Sequence, residues 1–310
     1  MKILFCGTAQ FAVPTLEYLI ENKWDLVGAV TQPDRRQGRG RKIAPPAVKE
    51  FLAGSLPVYQ PATTQELIEI INKYNIKPDV IVVVAYGMLL PLEILNLPPL
   101  GCINLHPSLL PKYRGAAPIQ RAIMNGEQMT GITTMYLSPE MDAGDIILQE
   151  EAEIPVGATA GELGACFAER GAVLMEKTLS MLRQGTAPRH PQEHHLATYA
   201  PPLRKEEAQI DWSRTAKEIV NQINGMNPKP GAYTVLEEGK TLKLWQGSIN
   251  DKISSYVPGE VVECDPKTGF IVQTGCGQIL LTEVQPAGRK RMSGSEFVRG
   301  YNIAAGLRLG

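Results

Sequence analysis

One run of residues limits the possible folds more than any other. Residues 79–85 read DVIVVVA, a nearly continuous β-branched run that is typical of a strand buried on both faces of a sheet. The chain opens with a strand pattern at 2–6, a helix pattern at 11–21 and a strand pattern at 26–31, which is typical of a parallel sheet with crossover helices. We therefore predict an α/β fold with a doubly wound, mostly parallel, Rossmann-like sheet.

The composition changes after the helix pattern at 158–182. Residues 183–207 are rich in proline and charge and contain three of the four histidines, which is typical of a linker. Beyond residue 210, short strand patterns separated by glycine turns indicate a small β-barrel; they lie at 242–245, 259–263, 270–273 and 278–283. We predict one domain at 1–187, a linker at 188–206 and a second domain at 207–310.

Simple motifs and counts exclude several classes of function. The turn after the first strand, GTAQFA, lacks the second and third glycines of a dinucleotide-binding turn and the Gly-Lys-Ser/Thr of a P-loop, so we expect neither NAD nor ATP there. A formal net charge of −1 argues against a globally basic nucleic-acid binder. The longest apolar run, residues 80–90, is too short to cross a bilayer, and the first residues do not resemble a signal peptide.

The cysteines indicate the cellular compartment, and the histidines bear on whether the chain holds a metal. Five cysteines make an odd set without a CxxC pair, which is typical of free thiols in a reducing cytoplasm. His194 and His195 have no ligand partners at helical spacing, so they do not indicate a metal site. We therefore predict a cytoplasmic protein without a disulfide framework and without a metal.

The strongest functional signal is a pair of polar residues in residues 101–115, GCINLHPSLLPKYRG. Asn104 and His106 interrupt an apolar strand pattern at alternate positions, so their side chains point to the same face. Pro107 and Pro111 then impose a stiff loop. A buried asparagine needs hydrogen-bond partners, and we therefore predict a site at the end of this strand.

Asp142, in the sequence DAGD, offers the carboxylate that an imidazole needs as a partner, although this pattern is equally typical of a turn. Asn104, His106 and Asp142 together suit acyl or formyl transfer. An amide N–H and an imidazolium can stabilise the oxyanion that forms when an amine attacks a carbonyl, and the imidazole can move the proton. Ser108 lies in no GxSxG motif, so we do not expect a serine nucleophile.

Two basic segments stand out in an otherwise neutral chain. Residues 32–47 combine a dense set of basic side chains with glycines and prolines, so we expect neither a helix nor a regular strand there. The segment is either a solvated loop or a flexible arm that binds phosphates. Residues 285–310 form a second basic segment.

The strings NLHPSLLPKYRGAAPIQ and MDAGDIILQ resemble the folate-dependent formyltransferases. The resemblance implies 10-formyltetrahydrofolate as the formyl donor and Asn104, His106 and Asp142 as the catalytic set. It also implies that two segments hold the folate, with the residues Ser108, Leu109, Leu110 and Pro111, and Gly87, Met88, Leu89 and Leu90.

The strings VTQPDRRQGRGRK, NPKPGAY and VQPAGRKRM are similar to the members of that family that act on methionyl-tRNA. This resemblance implies an OB-like barrel as a tRNA-binding domain, initiator methionyl-tRNA as the acceptor, and neither a membrane nor an obligate protein partner. The basic residues that it implies in tRNA binding are Arg35, Arg36, Arg39, Arg41, Lys42, Arg289, Lys290 and Arg291.

Three other functions remain open at this point. The acceptor could be an amino sugar linked to a nucleotide, but the two basic segments would then have no purpose. Water could replace the amine, which would make the protein a 10-formyltetrahydrofolate hydrolase. The chain could also be an RNA-binding protein without catalytic activity, which would leave Asn104, His106 and Asp142 without a role.

Overall fold

A computed structural model describes residues 1–37, 42–236, 239–250, 252, 256–301 and 303–310 of the chain. These residues form two compact units. The first consists of Met1–Gly115, Thr130–Ala152 and Gly164–Tyr199, and the second of Ala116–Met129, Glu153–Leu163 and Ala200–Gly310. The bounds 1–187, 188–206 and 207–310 stay a prediction.

The first unit contains a seven-stranded sheet in the order β5-β2-β1-β6-β7-β8-β9. Strands β5, β2, β1, β6 and β7 run parallel to one another, whereas β8 is antiparallel to β7. The strands up to residue 153 are β1 (Lys2–Gly7), β2 (Asp25–Val30), β3 (Arg35–Gln37), β4 (Lys42–Ala44), β5 (Val58–Tyr59), β6 (Val80–Val84), β7 (Cys102–His106), β8 (Met129–Tyr136) and β9 (Ile146–Glu153).

The predicted central strand is confirmed, because all five residues of β6 are buried. The starts of the helices follow from the sequence: the Thr63 side chain, for example, accepts a hydrogen bond from the Glu66 N–H and caps one of them. The helices are α1 (Val13–Glu21), α2 (Ala47–Leu52), α3 (Thr64–Lys73), α4 (Leu92–Leu95), α5 (Pro118–Met124), α6 (Ala160–Gln184), α7 (Ala216–Gly225) and α8 (Gly294–Gly300).

The strand order places the ends of β6 and β7 side by side. From β1 the chain moves outward through β2 to β5 and then returns to β6 on the other side of β1. Ligands of open α/β sheets bind outside the carboxyl ends of the strands near such a reversal. Because β6 and β7 are parallel neighbours, residues 85–90 and 107–111 follow them at the same edge of the sheet.

The second unit contains an antiparallel sheet in the order β10-β11-β14-β13-β12, with β15 paired to β14. This confirms the prediction of a strand-rich second part. Its core includes Trp212, Ile219, Phe270 and Phe297, all buried. The strands are β10 (Tyr233–Val235), β11 (Thr241–Asn250), β12 (Val261–Asp265), β13 (Gly269–Gln273), β14 (Gln278–Pro286) and β15 (Met292–Ser293).

One prediction about an irregular segment is wrong. Residues 32–47 contain a short antiparallel hairpin, because β3 pairs with β4, so glycine and proline did not prevent regular strands there. The linker interpretation of residues 183–207 stays a prediction; within this segment Gln192 is buried, and the Thr198 hydroxyl accepts a hydrogen bond from the Tyr113 N–H. In the described part of the chain, no helix is long and apolar enough to span a membrane.

Candidate active site

Strand β7 presents its polar side chains on one face. Leu105 lies on the opposite face and packs on α6, where a Cβ on Gly171 would come within 2.4 Å of a Leu105 methyl carbon. Asn104 and His106 therefore share the other face, as the alternation of a strand predicts. The neighbours of β7 are β6 and β8, so the backbone of this strand is fixed from both sides.

The imidazole of His106 is buried and has two partners. Its Nε2 lies 3.0 Å from the backbone oxygen of Tyr113. Since a carbonyl oxygen can only accept, Nε2 carries the proton of the neutral ring and Nδ1 carries the lone pair. Nδ1 lies 3.7 Å from Oδ2 of Asp142, which is an electrostatic contact rather than a hydrogen bond.

The environment favours the neutral form of this ring. Burial lowers the pKa of His106, while the Asp142 carboxylate and the Tyr113 carbonyl raise it by smaller amounts. The net shift is downward, so at neutral pH the imidazole has a free Nδ1 that can accept a proton. Once it is protonated, both of its N–H groups face acceptors.

Asp142 is held by the backbone of the loop after β7. Its Oδ2 accepts a hydrogen bond of 2.8 Å from the N–H of Gly115. The residue itself lies in the left-handed region, with φ of 50°. The turn also requires Gly144, since a Cβ there would lie 1.9 Å from the Tyr136 backbone oxygen. DAGD therefore forms a turn, and this turn places the Asp142 carboxylate beside the His106 imidazole; that the carboxylate acts on the imidazole stays a prediction.

Asn104 differs from His106 and Asp142 because its side chain is free to meet a ligand. It is half-buried, and within the described residues its amide makes no hydrogen bond. An amide in such a position has two N–H donors and one acceptor available for a ligand. The structure thus brings His106 and Asp142 into contact and leaves the Asn104 amide available on the same face of β7.

The segment 108–111 is held firmly by its neighbours. Ser108 and Leu110 have buried side chains, and the Ser108 hydroxyl donates 2.7 Å to the Lys112 carbonyl. The Thr133 hydroxyl donates to the Ser108 carbonyl, and the Gln149 amide donates to the Leu110 carbonyl. Of these four side chains, only those of Leu109 and Pro111 are partly exposed. The Leu110 N–H donates 3.3 Å to the Thr133 hydroxyl, so Ser108 and Leu110 can offer a ligand mainly the second lone pair of their backbone carbonyls.

The segment 87–90 follows β6 and leaves apolar groups exposed. Gly87 has a φ of 81°, a conformation that favours glycine, and the Thr8 hydroxyl donates 2.7 Å to the backbone oxygen of Tyr86. Leu89 is 74% exposed, while Met88 and Leu90 are half-buried. The segment offers an apolar surface at the same sheet edge as residues 107–111.

The basic residues of the first segment are only partly described. Arg35 and Arg36 lie in β3 with exposed side chains, and the Arg35 guanidinium donates 2.6 Å to the Gln32 amide oxygen. Arg39 and Arg41 lie outside the described residues, and of Lys42 the backbone alone is described.

The basic residues near the carboxyl end differ in their surroundings. Arg289 and Lys290 are exposed. Arg291 lies over the ring of Trp245, with the guanidinium carbon 3.6 Å from the ring centroid, and it also faces Glu283 at 3.8 Å. Arg291 is therefore partly occupied by contacts within its own unit.

Sequence reasoning missed the residues that hold the site. Tyr113 and Gly115 act through backbone atoms, so their amino-acid types give no signal. Arg114 and Gln192 form a buried pair that joins the loop after β7 to a segment interpreted as a linker. A buried guanidinium needs a partner, but the sequence does not indicate which one. The described residues contain no group of three or more side chains suited to hold a metal.

Comparison with known proteins identifies the family to which this chain is similar. A family model described as formyl transferase matches residues 1–179, and a second, described as formyl transferase, C-terminal domain, matches residues 202–302. The curated methionyl-tRNA formyltransferase of Moorella thermoacetica is 49% identical over 311 residues, which cover 100% of this chain and 99% of the relative. The protein of the same name from Pelotomaculum thermopropionicum is 46% identical, with coverage of 100% and 99%.

A solved structure shares the fold at low sequence identity. HypX from Aquifex aeolicus, in complex with tetrahydrofolic acid, superposes with a TM-score of 0.68 and is 19% identical. The match covers 97% of this chain and 48% of that one, so the chain spans about half the length of HypX. At this identity the likeness shows the fold alone.

Proposed function

This chain belongs to the formyl transferase family, and from that premise we propose that it transfers the formyl group of 10-formyltetrahydrofolate to the α-amino group of initiator methionyl-tRNA. The observation that supports this most strongly is the full-length similarity to enzymes named methionyl-tRNA formyltransferase, which includes both parts of the chain. We assign catalysis to residues 1–187, tRNA binding to residues 207–310, and the connection between them to residues 188–206.

His106 acts as the proton acceptor. The α-amino group must lose a proton as its nitrogen bonds to the formyl carbon, and Nδ1 of the neutral imidazole is the free basic atom. The nitrogen that leaves the formyl carbon must gain a proton, which the same Nδ1 can return. The ring thus ends in the protonation state in which it began, and no covalent bond to the protein is needed.

Asn104 and Asp142 stabilise the charges that appear during this transfer. When the amine adds to the formyl carbonyl, its oxygen gains negative charge, and the free N–H groups of the Asn104 amide can donate to it. The imidazolium that forms at the same time lies 3.7 Å from the Asp142 carboxylate. Opposite charges at this separation attract strongly in a largely buried site.

The folate supplies the formyl carbon, and residues 87–90 and 108–111 are suited to hold it. The exposed apolar side chain of Leu89 favours contact with an aromatic ring system. The segment 108–111 is fixed by Thr133 and Gln149, so its backbone forms a firm wall at the end of β7. We propose that both segments contact the folate, with Ser108 and Leu110 acting through their backbone.

The tRNA is bound mainly through its phosphates. The basic side chains of the 35–42 and 289–291 segments would neutralise phosphates and release counterions, so affinity should fall as salt rises. Arg289 and Lys290 are exposed and suited to this role. The Arg291 guanidinium already contacts the ring of Trp245 and is less suited to it. We also propose a cytoplasmic location, with neither a membrane nor an obligate protein partner.

One assay tests the function and its alternatives together. The purified protein is given radiolabelled 10-formyltetrahydrofolate with methionyl-tRNA, with a nucleotide-linked amino sugar, or with no acceptor. We expect label on the methionyl-tRNA alone. Label on the sugar would favour an amino-sugar formyltransferase, and formate release without an acceptor that added methionyl-tRNA does not alter would favour a hydrolase. Binding of tRNA without any transfer would favour an RNA-binding protein.

A further inference from the structure

We propose that Gln192 is a positioning residue for the His106–Asp142 pair and that Arg114 holds Gln192 in place. The proposal rests on the proposed function, since it concerns the same site. Residue 192 lies between the two ranges matched by the family models, 1–179 and 202–302. It also lies in a segment whose sequence is typical of a linker, so neither the family match nor the sequence pattern assigns it a role.

The side chain of Gln192 holds the turn that contains Asp142 through the backbone carbonyls of that turn. Its amide nitrogen donates 2.9 Å to the carbonyl of Asp142 and 2.7 Å to the carbonyl of Gly144. The side chain is 5% exposed, so water does not compete with these bonds. Because the two carbonyls flank Ala143, one amide group fixes the whole turn beside the imidazole.

Arg114 holds the other end of the same amide. Its guanidinium donates to the Gln192 amide oxygen from Nε at 3.1 Å and from Nη2 at 2.6 Å. Arg114 is 4% exposed, and a fork of two donors to one oxygen sets which way the amide points. With the oxygen held, the nitrogen must face the Asp142 turn. The guanidinium also donates to Nδ1 of His194, at 3.3 and 3.4 Å.

The neighbours of Arg114 hold the reacting pair directly. The Tyr113 carbonyl accepts from His106, and the Gly115 N–H donates to Asp142. The Arg114 side chain therefore lies between the two residues whose backbones hold the imidazole and the carboxylate. A shift of the turn changes the 3.7 Å separation of His106 and Asp142, on which stabilisation of the imidazolium depends.

Two substitutions of Gln192 separate this role from general stability. Gln192→Glu keeps an acceptor for Arg114 but loses both donors, and its negative charge repels the two carbonyl oxygens. Gln192→Met is uncharged and removes the donors and the acceptor. For both we expect kcat to fall about 10- to 100-fold, with the KM of methionyl-tRNA and of the folate within about twofold of the parent.

A matched control exists in the second unit. Gln222 is also a buried amide, and its nitrogen donates 2.8 Å to the Glu207 carbonyl and 3.0 Å to the Gln209 carbonyl. Gln222→Glu makes the same chemical change without touching the turn that contains Asp142, and it differs from Gln192→Glu in that the Gln222 oxygen has no partner among the described residues. We expect it to lower the melting temperature while kcat stays near that of the parent.

A second measurement does not depend on activity. The chain has four histidines, so the imidazole NMR signal of His106 can be assigned by its loss in His106→Ala. In Gln192→Met we expect the titration midpoint of His106 to fall, because the carboxylate that raises it is no longer held in place.

The outcomes distinguish a failure of the proposed function from a failure of the positioning role. If the parent does not formylate methionyl-tRNA, the proposed function fails, and the NMR titration still tests the positioning role. If the parent is active, Gln192→Glu folds and keeps kcat within about twofold, and Gln192→Met leaves the titration midpoint of His106 unmoved, the positioning role is wrong. A loss of kcat equal to that of Gln222→Glu would likewise refute it.

Discussion

Replacing Asp142 with asparagine tests the electrostatic part of the mechanism in isolation. The change removes the negative charge, while the new amide oxygen can still accept from the Gly115 N–H, so the turn should keep its shape. The pair is largely buried, with side-chain exposures of 4% for His106 and 15% for Asp142. The variant therefore differs from the parent mainly in the electrostatic stabilisation of the His106 imidazolium.

The magnitude follows from the separation of the two charges. At 3.7 Å, unit charges attract by about 4.5 kcal/mol at an effective dielectric constant of about 20. Since the carboxylate is partly exposed, we discount this to about 2–4 kcal/mol. With about 1.4 kcal/mol for each factor of ten in rate, kcat should fall roughly 30- to 1000-fold.

The assay is single-turnover transfer of labelled formyl to methionyl-tRNA, measured across pH. The imidazole must be neutral to accept a proton, and the Asp142 contact raises the pKa of His106. Loss of that contact lowers the pKa of His106. The acidic limb of the profile of transfer rate against pH should therefore move to lower pH, while the maximal rate falls. Asp145→Asn is the control, because Asp145 meets the exposed Arg189 at 3.6 Å and contributes little. A plateau within about fivefold of the parent would refute the reasoning.

Three further predictions follow from the site and its surroundings. His106→Ala should reduce transfer by about 10²- to 10⁴-fold while the protein still folds, and near-normal turnover would disprove its role. Neutralising Arg39, Arg41 and Lys42 together should raise the KM of tRNA and flatten its dependence on salt; an unchanged slope would mean that these side chains do not bind phosphates. Gly144→Ala should destabilise the protein, since its Cβ would lie 1.9 Å from a backbone oxygen, and an unchanged melting temperature would contradict this.

Local patterns were sufficient to predict most of the fold. The β-branched run of β6 and the helix patterns of α1 and α6 are signals contained in contiguous residues, and the structure confirms these elements. The hairpin of β3 and β4 was missed because its glycines lie between the strands rather than inside them. Strand β9 was missed since its alternating pattern is half polar.

The candidate site was predictable only where side chains give a signal. Asn104 and His106 could be found because polar residues are rare in a buried strand, and alternation places them on one face. The closeness of Asp142 to His106 could not be predicted, because it depends on where the turn between β8 and β9 lies relative to β7 in the folded chain. The Arg114–Gln192 pair joins residues 78 positions apart, and no local pattern reports such a contact.

The imidazole and the carboxylate are both held by main-chain atoms, the Tyr113 carbonyl and the Gly115 N–H. Main-chain groups are the same for almost every amino acid, so the side chain at position 113 can vary through evolution or engineering without removing either bond. The number of residues between the two contacts cannot vary in this way. An inserted or deleted residue within 113–115 would break the alignment of both groups at once, so the length of this loop is under constraint in addition to the side chain of Arg114 and the glycine at 115.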